Sequence, residues 1–179
     1  MRFKITPDFQ ISTDLLRFRI EAVPQLAAAQ VKAQVGDGVI RLPAHLNFES
    51  RTIQEWLNKA MVEALRWQCQ RLLTPRLAQF AQRADIHYNC VVYKDVSSRW
   101  GSCSSLKNLN FSVWLLLAPS PLVDYVICHE LAHLTELNHG PRFWAEVDRI
   151  LGETPGKAKQ LDKQMNEFAK SLREMGRFK

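Results

Sequence analysis

The spacing of apolar residues changes three times along the chain. Over residues 31–43 apolar and polar residues alternate around a Gly-Asp-Gly turn at residues 36–38, which predicts a β-hairpin. From about residue 50 to 83 apolar positions recur at helical spacing, and Pro75 is expected to break or bend this helix. Between residues 86 and 117 short runs of Tyr, Val, Phe and Trp predict two or three strands.

Three further helices are predicted in the last third of the chain. Ser120 can cap a helix that has Pro121 at its first position, and this helix is expected to run to about residue 137. A second helix is predicted over residues 141–151 and a third from residue 156 to about 175. Before the hairpin, residues 3–9 and 15–23 are possible strands. The chain is therefore expected to combine short strands with four helices.

Composition narrows the class of protein. A chain of 179 residues with 46% hydrophobic content fits one compact domain with a core. Charged residues interrupt the apolar stretches of the first thirty residues, so we expect neither a signal peptide nor a membrane span. The four cysteines form no Cys-x-x-Cys pair and suit a reducing cytoplasm. The protein is therefore expected to be soluble and cytoplasmic.

The positive charge of the chain bears on its partners. The net charge of +6 would attract polyanions such as nucleic acids or nucleotides at moderate salt. A solvated basic surface explains most of these residues equally well, because many lie on predicted helix faces. Charge alone therefore gives only weak support for nucleic-acid binding.

The residues that carry chemistry are His129, Glu130 and His133, in the sequence HELAH within the predicted helix. At roughly 100° and 1.5 Å per residue, the two histidines lie about one turn apart and about 40° apart around the axis, so both can reach one metal ion. Glu130 lies roughly 100° around from His129, where its carboxylate can take a proton from a metal-bound water. The apolar face of this helix lies elsewhere, which argues against a pair of core histidines.

His139 is the predicted third ligand. In a continuing helix it would point about 240° away from His133. The helix is not expected to continue, because Asn138 tolerates a left-handed cap conformation and Gly140 and Pro141 interrupt the run. Three neutral imidazoles would leave a fourth position of Zn²⁺ open for water.

Several short motifs carry a resemblance to a known family. They are SRWGSCSS at residues 98–105, NLNFSV at 108–113, LAP at 117–119, DYVICHELAHL at 124–134 and NHGPRFW at 138–144. With these motifs the chain resembles the YgjP-like metallohydrolase family, and it is more distantly similar to the SprT-like metalloproteases. The resemblance is strong over residues 91–150.

The resemblance implies an α+β fold of the minimal zincin type, in which a small twisted sheet packs against helices. It also implies a zinc ion on the HExxH helix, with the third histidine just past that helix. Residues 31–179 are accordingly expected to form the zincin-like domain. Residues 1–30 are expected to form an amino-terminal segment, to which the resemblance does not extend.

Other residues near the motifs have candidate functional roles beside plain structural ones. Residues 108–113 would form either an edge strand that pairs with an extended substrate or an ordinary core strand. Tyr125 could donate to a developing oxyanion and Glu136 could accept from a ligand histidine, although both could simply border a cleft. Arg99 and Arg142 are alternative stabilisers of negative charge, or members of surface ion pairs.

Four further side chains are read as structural. Trp100, Trp114 and Trp144 are expected to be packing residues. Cys103 suggests a nucleophile, but its surroundings do not match the Cys-Gly-Ser-Cys-Trp signature, and the nearby histidines suit a metal better.

The leading functional hypothesis is zinc-dependent hydrolysis of peptides or unfolded proteins, with Glu130 as the base. A second enzyme hypothesis keeps the site but hydrolyses a nucleoside triphosphate to release pyrophosphate. The chain lacks a glycine-rich phosphate loop, which argues mildly against it, although arginine-based binding is an alternative. From another class, a zinc-stabilised nucleic-acid-binding module would explain the charge. A structural zinc site normally has a fourth protein ligand, and none is evident in the sequence.

Overall fold

The computed structural model describes residues 3–174 and contains, within them, two small sheets and four α-helices. The strands are β1 (Gln10–Ser12), β2 (Arg17–Val23), β3 (Gln30–Gln34), β4 (Asp37–Pro43), β5 (Cys90–Lys94), β6 (Gly101–Cys103) and β7 (Asn108–Ser112). The helices are α1 (Arg51–Ala84), α2 (Ser120–Ala132), α3 (Pro141–Leu151) and α4 (Lys157–Glu174), with a 3-10 helix at Val113–Leu117. The predicted α+β fold class is confirmed.

The amino-terminal sheet has the strand order β1-β2-β4-β3, and β2 runs parallel to β4. The predicted hairpin is confirmed as β3 and β4, but its turn lies at Val35 and Gly36, one residue earlier than predicted. Gly36 has a φ of 79°, a conformation that glycine adopts without strain. The possible strand at residues 15–23 is confirmed as β2, whereas residues 3–9 contain no strand. Residues before the hairpin thus belong to the same sheet as the hairpin.

Of the predicted break or bend at Pro75, the break is wrong, because helix α1 continues through this residue, and the bend stays a prediction. Proline removes one backbone hydrogen bond and costs a helix interior about 3 kcal/mol. Leu73 and Leu77, two residues before and after it, are deeply buried, at 1% and 0% exposed. Burial of such side chains contributes about 1.5–3 kcal/mol each, which offsets the defect.

The start of α2 is hydrogen-bonded to the amino-terminal segment and to α1. The helix begins at Ser120 with Pro121 next, as predicted, but Ser120 is its first residue rather than its cap. A carboxylate oxygen of Asp14 accepts the backbone N–H of Ser120 at 3.1 Å. The hydroxyl of Ser120 accepts instead from Arg76 of α1 at 2.9 Å. The amino-terminal segment therefore supplies an acceptor for the first turn of the helix that carries the histidines.

Helices α3 and α4 are joined by a buried carboxylate. Asp148 is 5% exposed and accepts the backbone N–H groups of Gly156 and Ala158, each at 2.7 Å. It thereby caps α4 from the last turns of α3. The predicted end of this helix near residue 175 lies outside the described residues. No helix within residues 3–174 is long and apolar enough to cross a membrane.

Candidate metal centre

The second sheet places β7 in its middle, with the strand order β5-β7-β6. Strand β5 pairs with β7 in parallel and β6 pairs with it antiparallel. The prediction that residues 108–113 offer an open edge to a substrate is therefore wrong, and the alternative of a core strand holds. Leu109 and Phe111 are 0% and 1% exposed. Within residues 3–174 the two edge strands of this sheet are β5 and β6, and β6 is the one that packs against α2.

Three histidine side chains meet in a cleft beside β6. The ligand atoms of His129, His133 and His139 all lie within 4.8 Å of one another, an arrangement that could hold one metal ion. The Nε2 atoms of His129 and His139 are 3.1 Å apart. His133 is the C-cap residue of α2 rather than an interior helical residue. The structure thus brings together the three histidines that the sequence singles out.

The chain reverses after α2 through local hydrogen bonds. The helix ends at Ala132, earlier than predicted, and the carbonyl of Ala132 accepts the backbone N–H of Glu136 at 2.8 Å and the hydroxyl of Thr135 at 3.1 Å. Asn138 does not have the positive φ predicted for it. Bonds to the last turn of the helix, rather than a left-handed residue, therefore return His139 to the site.

Two of the imidazoles are held from behind at Nδ1. The Nδ1 atom of His133 lies 3.2 Å from the backbone carbonyl oxygen of Glu136. The predicted role of Glu136 in orienting a ligand is thus filled by its main chain and not by its carboxylate. The Nδ1 atom of His129 lies 3.0 Å from the hydroxyl oxygen of Tyr125, and this hydroxyl donates its proton to Asp162. Tyr125 therefore does not point into the cleft as the predicted oxyanion donor.

Burial keeps these imidazoles neutral. Desolvation, followed by the charges of His133 and His139, lowers the pKa of His129 to about 3. Desolvation also lowers the pKa of His133. A neutral imidazole keeps one nitrogen lone pair, and that lone pair is the group that binds a metal ion.

Phe143 and Trp144 of α3 support the cluster. The Phe143 ring is fully buried, and its centroid lies 4.5–4.8 Å from those of all three imidazoles. The Trp144 indole N–H donates to the carbonyl oxygen of His139 at 3.1 Å. Trp144 thus fixes the loop that carries His139, the third histidine. Trp114 lies elsewhere, in the core, as predicted, and is 0% exposed.

Glu130 projects into the same cleft from α2. Its side chain is 6% exposed, and its Oε2 atom has no hydrogen-bond partner among residues 3–174. Burial raises the pKa of Glu130 to about 8, and the positive charge of Arg99 opposes that rise. A buried carboxylate oxygen without a protein partner is unusual and indicates a site that can accept a hydrogen bond from a further group.

The cleft has a volume of about 460 Å³. Its lining residues are Gly101, Ser102, Cys103, Ser104, Ser105, His129, Glu130, His133, Leu137 and His139. Arg99 and Arg142 are not among them, although the positive charge of Arg99 reaches Glu130. Cys103 is present, but burial and the negative charge of Glu130 raise the pKa of its thiol. A raised thiol pKa disfavours the thiolate and hence the cysteine-nucleophile reading.

Comparison with known proteins agrees with this geometry. The family model of the YgjP-like metallopeptidase domain matches residues 20–164, a span that contains all three histidines and Glu130. The chain belongs to the YgjP-like family. The match is wider than the motifs at residues 91–150 indicate, because it begins within β2.

One solved structure similar to this YgjP-like chain is that of the metallopeptidase zymogen of Methanocaldococcus jannaschii jannalysin. It is 18% identical, and the alignment covers 52% of this chain and 93% of that chain, with a TM-score of 0.46. Among curated proteins, none matches the chain.

Gly101 is a site residue of this YgjP-like chain that the sequence reasoning missed. A Cβ atom at this position would lie 2.6 Å from both Cγ and Oε1 of Glu130. Only glycine lets β6 approach the carboxylate this closely. The signal was present in the SRWGSCSS motif, but nothing in the sequence links that motif to a particular residue of α2.

We expect Gly101→Ala to displace the carboxylate of Glu130, the predicted general base, and to lower kcat/KM for hydrolysis by at least about 100-fold, the lower bound for losing a general base. Steady-state kinetics of the variant measures this. Gly140→Ala is the matched control, because an added Cβ there meets no atom within 4 Å. Full activity of Gly101→Ala would show that the position of Glu130 does not matter.

Proposed function

We propose that this YgjP-like chain is a zinc-dependent metallopeptidase in which His129, His133 and His139 hold the metal and Glu130 is the general base. One observation carries the proposal. The buried and unpartnered Oε2 atom of Glu130 belongs to a side chain that lines the same cleft as the three histidines. A site that only stabilised the fold would have no use for such a carboxylate.

The donor set fits zinc. A backbone carbonyl only accepts hydrogen bonds, so the bond to Glu136 puts the proton of His133 on Nδ1 and leaves the lone pair on Nε2. Zinc binds imidazole nitrogens, and three of them leave one position open for chemistry. When bound, zinc would supply a Lewis acid that polarises the scissile carbonyl and makes a water molecule more acidic.

Glu130 would handle the protons. Its unpartnered Oε2 accepts the proton from the attacking water and then delivers it to the nitrogen of the leaving amine. The missing side chain of Gly101 leaves room beside β6 for the other oxygen and the side-chain stem of Glu130.

The free edge of β6 provides a place for an extended peptide. The Ser112 N–H donates to the Trp100 carbonyl at 2.8 Å, and the Ser104 N–H donates to the Asn108 carbonyl at 3.0 Å. Bonded pairs alternate along an antiparallel ladder, so the backbone groups of Gly101 and Cys103 point away from β7. A substrate strand can pair with them directly beside the histidines.

The experiment that tests this function presents the zinc-loaded protein with an unfolded protein and with nucleoside triphosphates in parallel. We expect new peptide termini by mass spectrometry and no release of pyrophosphate. Zinc-loaded Glu130→Gln protein, purified in the same way, excludes a contaminating protease. Pyrophosphate release without peptide cleavage, or nucleic-acid binding without any turnover, would reject the proposal in favour of the corresponding alternative.

A further inference from the structure

A chain of hydrogen bonds connects His129 to helix α4. The Tyr125 hydroxyl lies 3.0 Å from Nδ1 of His129 and donates to Oδ1 of Asp162 at 2.7 Å. The other oxygen of Asp162 accepts from the Asn166 amide at 3.1 Å. Neither Tyr125 nor Asp162 lines the cleft. These hydrogen bonds therefore reach the imidazole of His129 on the side opposite to its Nε2 atom.

We propose that Asp162, acting through Tyr125, fixes the tautomer and the ring orientation of His129, which makes both of them positioning residues of the metal centre. A carboxylate only accepts, so the single hydroxyl proton of Tyr125 goes to Asp162. Toward His129 the phenol oxygen can then only accept. Nδ1 of His129 must carry the imidazole proton, and Nε2 keeps the lone pair that a metal requires.

Loss of Asp162 would remove the acceptor that holds the hydroxyl proton of Tyr125 away from His129. The hydroxyl proton of Tyr125 would be free to point at Nδ1 of His129, and that bond stabilises the tautomer with the proton on Nε2. In that tautomer Nε2 cannot bind a metal ion. His133 has no such ambiguity, because its Nδ1 faces a backbone carbonyl that can only accept.

Helix α4 is built to hold Asp162 in place. Asp148 caps its first turn with two hydrogen bonds of 2.7 Å. Further along, the Phe168 ring packs against Trp100, with ring centroids 6.0 Å apart. Tyr125 itself is 2% exposed. Helix α4 is therefore a structural support of the site.

The first test measures zinc affinity by competition with a chromophoric chelator. We expect Tyr125→Phe and Asp162→Ala each to weaken zinc binding by about 10–100-fold, the usual effect of removing a partner behind a ligand. Asp162→Asn keeps an accepting oxygen and should lose less. Glu167→Ala removes an exposed carboxylate from the same helix and is the matched control. Unchanged affinity in Tyr125→Phe and Asp162→Ala would overturn the proposal.

The second test separates a positioning role from a merely structural one. Because Asp162 acts through Tyr125, the double variant that combines Tyr125→Phe with Asp162→Ala should bind zinc no more weakly than Tyr125→Phe alone. Multiplication of the two single losses would contradict this coupling. In the zinc-free protein, the ¹⁵N shifts of His129 should report a proton on Nδ1, and Asp162→Ala should move it toward Nε2. Unmoved shifts, with only a lower Tm, would equally refute the proposal.

The inference rests on the metal site proposed above but not on the identity of the substrate. Failure of the unaltered protein to bind zinc would reject the metal site itself. Failure of the variants to differ from the unaltered protein would reject only the roles of Tyr125 and Asp162. Neither readout depends on peptide cleavage.

Discussion

Glu130→Gln is expected to lower kcat/KM for peptide cleavage by about 10²–10⁴-fold while zinc stays bound, because only the general base is lost. Glutamine has nearly the same shape and still fits beneath Gly101, but its amide cannot take a proton from water. The measurement pairs steady-state kinetics with the zinc content of the purified variant. Its matched control is Glu153→Gln, which changes an exposed carboxylate that does not line the cleft.

The outcome discriminates between roles for this carboxylate. Loss of zinc together with activity would mean that Glu130 holds the metal rather than the proton. Undiminished cleavage would mean that another group accepts the proton. Either result would contradict the assignment of Glu130 as the general base and would leave the peptidase proposal without its main support.

His139→Ala is expected to weaken zinc binding by more than about 100-fold, since losing a ligand should exceed the roughly 10–100-fold effect of losing a partner behind one. His139 is exposed and follows the last turn of α2, so its removal should leave the fold intact. Competition with a chelator gives the affinity, and circular dichroism gives the Tm. His87→Ala, at an exposed histidine outside the cleft, is the control for loss of an imidazole. Unchanged affinity would exclude His139 as a ligand.

Local spacing is what made much of the site predictable. The i, i+4 placement of His129 and His133 on one helix follows from helical geometry alone. The interruption at Gly140 and Pro141 indicated that His139 would turn back, and α3 begins at Pro141 with Gly140 as its N-cap. The structure brings the three imidazoles together. Their role as ligands stays a prediction until a metal is located.

The errors arose where distant parts of the chain decide local structure. Pro75 lies within an unbroken helix because packing on both sides of it outweighs its missing hydrogen bond. Strand β7 is central because β5 and β6 pair with its two sides, which no property of residues 108–113 reveals. Asn138 took no left-handed conformation because bonds to Ala132 had already turned the chain.

The supporting residues of the site also depend on contacts between distant parts of the chain, so the sequence alone did not predict them. Asp162 reaches Tyr125 across 37 positions of sequence, and Gly101 approaches Glu130 from a different element. Tyr125 lies one helical turn before His129, but its function depends on Asp162, the partner that takes its proton. Only the packing of α4 and β6 against α2 makes these contacts visible.

The most direct test of the account is X-ray diffraction from crystals of the zinc-loaded protein, with data on both sides of the zinc absorption edge. We expect one anomalous peak about 2.0–2.1 Å from the Nε2 atoms of His129, His133 and His139, with no fourth protein ligand. No peak among these atoms after reconstitution, or a zinc ion closed off by a side chain such as Cys103, would contradict it.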